Sequence, residues 1–217
     1  GGPILAGVTA RLRQFSGVAK GNEFVVEANY EGEGSLKAKW IFSPTAPVKL
    51  EYETSQVGEA DFMGITFNYP ESKITGMKWL GRGPYRVWKN RLKGQKFGVW
   101  QKAYNNAVTG ETGPYPEFKG YHSEVNWVTI ENSESPFTVY TDNRDMYLQM
   151  LRPQSEKAAL ANSNVEPAFP TGSIGFLNAI SPIGTKFQAA RSMGPQSQKT
   201  RAEGELVRGV LWFDFGR

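Results

Sequence analysis

The chain has no cysteine and a single histidine, His122. Without cysteine there are no disulfides, thiolate metal ligands or cysteine nucleophiles, and one histidine excludes a two-histidine acid/base pair. No stretch approaches the ~20 consecutive apolar residues of a membrane helix. The opening Gly1-Gly2-Pro3 has no basic region, no apolar region and no initiator methionine. No signal peptide is therefore expected there, and the chain reads as a fragment or processed product of a longer parent. An excess of one charge is also missing: 25 Lys and Arg face 21 Asp and Glu, a net +4, with no block of like charges. A nucleic-acid reader would cluster its bases, so neither nucleic acid nor membrane is an expected partner. No Gly-x-Ser-x-Gly elbow, P-loop or dinucleotide fingerprint occurs, and no cofactor is expected.

What is present is β-structure. Aromatics make up 13% of the 217 residues, beside 24 glycines and 13 prolines, a composition of many short strands and turns that fits one domain over 1–217. Phe24, Val26, Ala28 and Tyr30 alternate against Glu27 and Asn29; Leu36, Ala38, Trp40 and Phe42 against Lys37 and Lys39; Val48, Leu50 and Tyr52 against Lys49, Glu51 and Glu53. This period of two belongs to antiparallel strands with one buried and one wet face. Further strands are predicted at 7–15, 62–67, 74–80, 125–130, 137–141, 147–151, 186–191 and 205–215. Residues 155–161 read as a short helix with Ser155 as its N-cap. Residues 88–119 show little alternation and read as a long irregular region, and 195–205 as a mobile polar connection. Trp40 and Trp212 alternate with apolar neighbours and are expected in the core.

Chemistry is harder to place. His122 reads either as a turn-flanking histidine or as a hydrogen-bond donor beside Glu124 at a ligand groove. With Glu117 and Glu124 it forms the one candidate metal cluster, but the spacing matches no strong ligand motif, so no metal is expected. Glycoside hydrolysis needs two carboxyl groups flanking the bond; the pairs Asp142/Asp145 and Glu131/Glu134 sit in turn-like stretches and read as solvated caps. No catalytic residue is assigned. Residues 79–91, Trp-Leu-Gly-Arg-Gly-Pro-Tyr-Arg-Val-Trp-Lys-Asn-Arg, follow a strand and read as a shaped loop, with glycines free to take positive φ and proline fixing its exit. It presents aromatics and guanidinium forks that suit a sugar. Trp88 and Trp100 either stack on sugar faces or pin the irregular region to the sandwich.

The run Trp79-Leu-Gly-Arg-Gly-Pro84 resembles the C-terminal "small chain" domain of family-2 glycoside hydrolases of the β-galactosidase type. The family pattern Trp-x-Gly-x-Gly-Pro, followed by Glu, Tyr, Asp and Arg, is matched by Trp79, Gly81, Gly83, Pro84 and Arg91. Arg86 stands at the family Glu, Trp88 at its Tyr and Asn90 at its Asp. A second segment, Pro-x-Glu-x-Gly-x-Arg then Val-Arg-Trp, is similar to Pro116, Gly120, Val125 and Trp127, with Phe118, His122 and Asn126 in place of Glu, Arg and Arg. The three lost acids thus become Arg86, Asn90 and Phe118, and the two lost arginines become His122 and Asn126. Loss of paired partners together would leave no orphan charge, so a less charged network is expected.

The resemblance implies an antiparallel β-supersandwich of the galactose mutarotase type, with no catalytic glutamate of its own. It implies packing on the catalytic barrel domain of a parent β-galactosidase-like hydrolase. In some members a late loop lends the sugar pocket an aromatic; the matching stretch 172–184 offers Phe176. The leading expectation is a non-catalytic, carbohydrate-associated domain meeting a galactoside or related glycan through Arg86, Trp88, Asn90, Arg91, Trp100, Glu117, His122 and Glu124. The alternatives are a free-standing mutarotase- or epimerase-like enzyme using His122 with Glu124 or Glu117, and a plain sugar-binding module. No compartment is fixed by the sequence, although a glycan-degrading parent favours a periplasmic or secreted one.

Overall fold

The computed structural model describes residues 4–5, 8–9, 11–32, 34–103, 120–150, 169–170, 172–185 and 187–216. The strands are β1 (Ile4–Leu5), β2 (Val8–Thr9), β3 (Arg11–Lys20), β4 (Glu23–Glu31), β5 (Ser35–Phe42), β6 (Val48–Ser55), β7 (Val57–Ala60), β8 (Met63–Phe67), β9 (Ile74–Val87), β10 (Lys96–Ala103), β11 (Tyr121–Asn132), β12 (Phe137–Thr141), β13 (Tyr147–Met150), β14 (Ile174–Ala179), β15 (Thr200–Glu203) and β16 (Val207–Asp214). The protein is an all-β sandwich with antiparallel pairing. Among the described residues the helical elements are short 3-10 turns, and no helix is long and apolar enough to cross a membrane. The predicted helix at 155–161 lies outside the described residues.

One layer runs β10-β9-β11-β12-β16-β6-β5-β4-β3, and β13, β14 and β8 continue from β11 as a second. Strand β11 serves both because it bends. It pairs with β12 through Trp127–Ile130 and with β13 through His122 and Leu148. Between those stretches its register against β9 slips, from Ser123 opposite Arg82 to Trp127 opposite Leu80. Inside this bulge Glu124 takes φ 51°, a left-handed conformation that costs a non-glycine residue about 1–2 kcal/mol. Two contacts hold it: Arg82 Nε donates to the Glu124 carboxylate, and Asn126 Nδ2 donates to the Glu124 carbonyl at 3.0 Å. A bulge increases local twist and re-aims side chains, and here it turns Glu124 away from the interior.

The alternation read in β5 and β6 is realised. Leu36, Val48, Leu50 and Tyr52 are buried in one cluster with Ile65, Trp79, Leu148, Ile174 and Phe176 from the other strands. The opposite face of β6 carries an ion network: Lys39–Glu51 at 3.3 Å, Lys49–Glu51 at 2.6 Å, Lys37–Glu53 at 3.5 Å and Arg208–Glu53 at 2.7 Å. The Lys49 hydrogen bond is the largest cause holding the Glu51 carboxyl below its ordinary value. A depressed carboxyl pKa contributes stability that is complete above the unfolded value and is lost as pH falls through the folded one. The urea midpoint should therefore drop between about pH 5 and pH 3, and Glu51→Gln should drop less over that window. Equal slopes for both proteins would refute this role of Glu51.

Several expectations change. Residues 79–91 are not a loop: β9 continues to Val87. Neither Gly81 nor Gly83 has positive φ. They are needed instead for close approach, since a Cβ at Gly83 would lie 2.8 Å from the Trp100 ring and one at Gly81 3.0 Å from the Glu124 carbonyl. Strand β10 occupies part of the region read as irregular. Of the strand predicted at 186–191, the described residues 187–191 are not extended into a strand but form an irregular segment and a 3-10 turn at Ala190–Ser192. The connection 195–205 is structured, with a 3-10 turn at Pro195–Ser197 and β15 paired to β7. Trp212 faces outward, with Lys49 Nζ 6.0 Å from its ring centre, because Leu211 and Phe213 take the inward positions.

Candidate functional site

The expected site residues divide between two places, with Glu124 apart from both and Glu117 outside the described residues. The first place is the junction after β9. Trp88 and Arg91 form an isolated bridge, with Arg91 N–H donating to the Trp88 carbonyl at 2.8 Å. Trp88 is 1% exposed and packs with Val87, Tyr121, Leu177, Ile180 and Ile183. It therefore pins the chain and presents no face to a sugar. Asn90 grips a neighbouring segment in both directions: its Nδ2 donates to the Ile183 carbonyl at 2.9 Å, and Ile183 N–H donates to its Oδ1 at 3.0 Å. An aspartate there could only accept, which gives the amide a structural reason. Arg91 Nη2 donates to the Gly184 carbonyl at 3.1 Å. These side chains are spent on positioning residues 181–184.

The second place lies where β9, β10 and β11 run side by side. Trp100 pairs with Trp79 across β9 and β10, and Val128 pairs with Trp79 from β11. Period-2 geometry then puts Lys102, opposite Met77, on the same face as Trp100. His122, 1% exposed, lies against Trp79 with ring centres 4.5 Å apart. Both of its ring nitrogens lack a hydrogen-bond partner, as does the buried Nη2 of Arg86. Burial first, then Lys102 and Arg86, hold the His122 pKa well below the ordinary histidine value, so the ring is neutral. Burial first, and Arg86 second, bring the Lys102 ammonium down to about 6, while burial lowers Arg86 to about 10.

Arg86, Lys102 and His122 therefore form a cluster of basic side chains in which burial leaves Arg86 as the one that keeps its charge at neutral pH. This corrects the expectation that the altered motif leaves no orphan charge. Replacing an acid by Arg86 put a guanidinium beside the histidine that replaced an arginine. His122 is not a donor to Glu124 either, since that carboxylate is engaged by Arg82. A mutarotase-type pair of His122 and Glu124 is not assembled in this geometry. Phe176, the candidate late aromatic, is 1% exposed in β14 and belongs to the core.

Lys102 is the residue that sequence reasoning missed. In Lys-Phe-Gly-Val-Trp-Gln-Lys-Ala the apolar pair Phe97 and Val99 suggests the inward face, yet both are more than half exposed. Gly98, Trp100 and Lys102 take the other face. Elsewhere an apolar cavity of about 590 Å³ opens between Trp40, Phe67, Tyr69, Phe137, Phe213 and Phe215. Of the residues expected at a sugar site only Phe176 lines it, and its walls are those of a gap between layers rather than a polar recognition site.

A family model described as beta galactosidase small chain matches residues 6–208 of this chain. Comparison with curated proteins found no match.

Proposed function

Because the chain belongs to the β-galactosidase small chain family, we propose that it is a non-catalytic domain that packs on the catalytic barrel of a β-galactosidase-type enzyme and contributes to holding its sugar. Its family membership ties it to such an enzyme, and the proposal adds the division of labour. The observation that carries it is the character of the β9–β10–β11 site. That site gathers basic groups and rings, whereas cleavage of a glycosidic bond needs two carboxyl groups across it. The one described carboxylate among the expected residues, Glu124, is taken by Arg82.

On this reading the 217 residues act as one domain with the supersandwich architecture of galactose mutarotases, supported by the small β13-β14-β8 layer packed on the large one. Arg86, Trp100 and His122 form the sugar-side group, while Trp88, Asn90 and Arg91 hold the scaffold behind it. The exposed apolar side chains Phe97 and Val99 on β10, which among the described residues pairs with β9 alone, give the barrel a surface to cover.

The test uses the pure chain with a chromogenic β-galactoside, and titration of its tryptophan fluorescence with galactosides. No turnover together with a saturable fluorescence change is the expected result. Turnover by the chain alone would overturn the non-catalytic role, and a flat titration would overturn the sugar contact.

A further inference from the structure

From β3 to β6 the outward face of the large layer alternates in charge strand by strand. The register sets unlike charges opposite one another: Arg11 and Glu31, Lys20 and Glu23, Glu27 and Lys39, Lys39 and Glu51, Lys37 and Glu53. Lys49 on β6 is the exception, and it bonds Glu51 of its own strand. Cross-strand pairs of opposite charge stabilise a sheet, and like charges directly opposite destabilise it. The basic strand β5 thus has an acidic strand on each side. The basic strand β3 carries Arg11, Arg13 and Lys20 and no acid, and it has an acidic neighbour on one side. Among the described residues it pairs with β4 alone, and each of its residues except the half-buried Ser16 is exposed. Its core-side face, fixed by the pairing of Leu12 with Tyr30 and of Phe15 with Ala28, is apolar. Leu12 is 52% and Phe15 65% exposed there, and the Phe24 ring reaches across to Gly17 to extend the row.

We propose that β3 is a docking edge for an extended acidic strand of another protein. A free edge accepts an added strand through its backbone groups, and alternate side chains then set the choice of partner. The added strand runs beside Gln14–Lys20, the stretch in unbroken register with β4. It places carboxylates near Lys20 at one end and near Arg11 and Arg13 at the other, and lays apolar residues beside Phe15 and Phe24. It thereby stands to β3 as β4 and β6 stand to β5. A second copy of β3 brings further basic residues to the edge instead of acids, so it takes this place only at high concentration. The edge is separate from the β9–β10–β11 group and does not rest on the proposed function.

The 217-residue chain is titrated with a labelled, blocked peptide in which valine alternates with threonine between glutamates at both ends. Its counterpart with lysines at the ends and a polyglutamate peptide of equal charge are the controls. Fluorescence anisotropy reads the binding, and amide hydrogen exchange reads its place. The glutamate-ended peptide should bind saturably, about 10-fold more tightly than either control, and more weakly as salt is raised. It should also slow exchange at alternate amides of Gln14–Lys20. Lys20→Glu should erase most of the preference for glutamate over lysine. Phe15→Asp, which puts a charge on the core-side face of the edge, should abolish binding. Both residues are exposed, so the native circular dichroism should be kept; should either variant lose it, the other carries the reading. No saturable binding, equal binding of the two alternating peptides, polyglutamate binding as tight, or binding without protection of Gln14–Lys20 overturns the proposal. Protection of these amides in the dilute chain with no peptide present also overturns it and assigns the edge to a second copy.

Discussion

Trp79→Ala is expected to lower the free energy of unfolding by about 3–5 kcal/mol, the range for emptying a buried tryptophan site. Trp79 is 1% exposed. It stands between Trp100 and Val128 in the two strand pairings, carries His122 against its ring, and donates from Nε1 to the Arg82 carbonyl at 3.3 Å. Neighbours fixed in a sheet cannot collapse into the space, so the cavity persists and its cost adds to the lost burial. The void opens on polar nitrogens, and a polar void of this size admits water. The His122 pKa should accordingly climb back toward the ordinary histidine value as its burial is relieved. Urea denaturation gives the stability change and a pH titration of the histidine resonance gives the second. A loss below about 1 kcal/mol would mean that Trp79 is not the keystone of this face.

Gly120→Ala should be nearly as damaging, by a different route. A Cβ at Gly120 would lie 2.4 Å from the Val87 carbonyl oxygen and 3.2 Å from Trp88 Nε1. The nearer obstacle is backbone, in register with Tyr121 at the start of β11, so it cannot swing aside as a flexible side chain would. Overpacking of this kind costs about 1–3 kcal/mol and sometimes more, and the upper end is expected because β9 and β11 must separate. Gly194→Ala is the control. Nothing lies within 4 Å of its Cβ position, and its φ of −62° suits any residue, so the denaturation midpoint should hardly move. Similar midpoints for the two variants would show that the close approach at Gly120 is relaxed in solution.

The sequence made some of this legible and concealed the rest for physical reasons. Strands β5 and β6 are flanked by others on both sides and wet on one face, so their polarity alternates and can be read. Strand β10 pairs with β9 alone among the described residues and has apolar residues on its outward face, and the same rule read there points to the wrong side. The Gly-x-Gly-Pro run has the composition of a loop, but its glycines serve the contact of β9 with Trp100 and β11, which no local pattern records. Residues 187–191 fail as a strand and Trp212 fails as a core residue because burial depends on which neighbours arrive, not on the residue alone. The candidate site was half legible. The motif led to Arg86 and His122, but their meeting with Lys102 depends on the pairing of β10 with β9. Arg86 and Asn90 occupy positions of expected acids, and they fare oppositely: Asn90 found backbone partners at Ile183, whereas Arg86 retains an unmet donor.

Strand β3 carries a consequence of its own. Among the described residues it pairs with β4 alone, and Leu12, Phe15 and Val18 stand exposed along it. A long edge with apolar side chains and unpaired backbone groups is a template for another strand. Its spacing of three between apolar residues is interrupted by a register shift after Leu12, which twists the edge and limits how much of it a second chain could zip onto. The chain is therefore exposed to self-association through this hairpin first, and its colloidal behaviour at high concentration is set there rather than at the basic cluster beside β10.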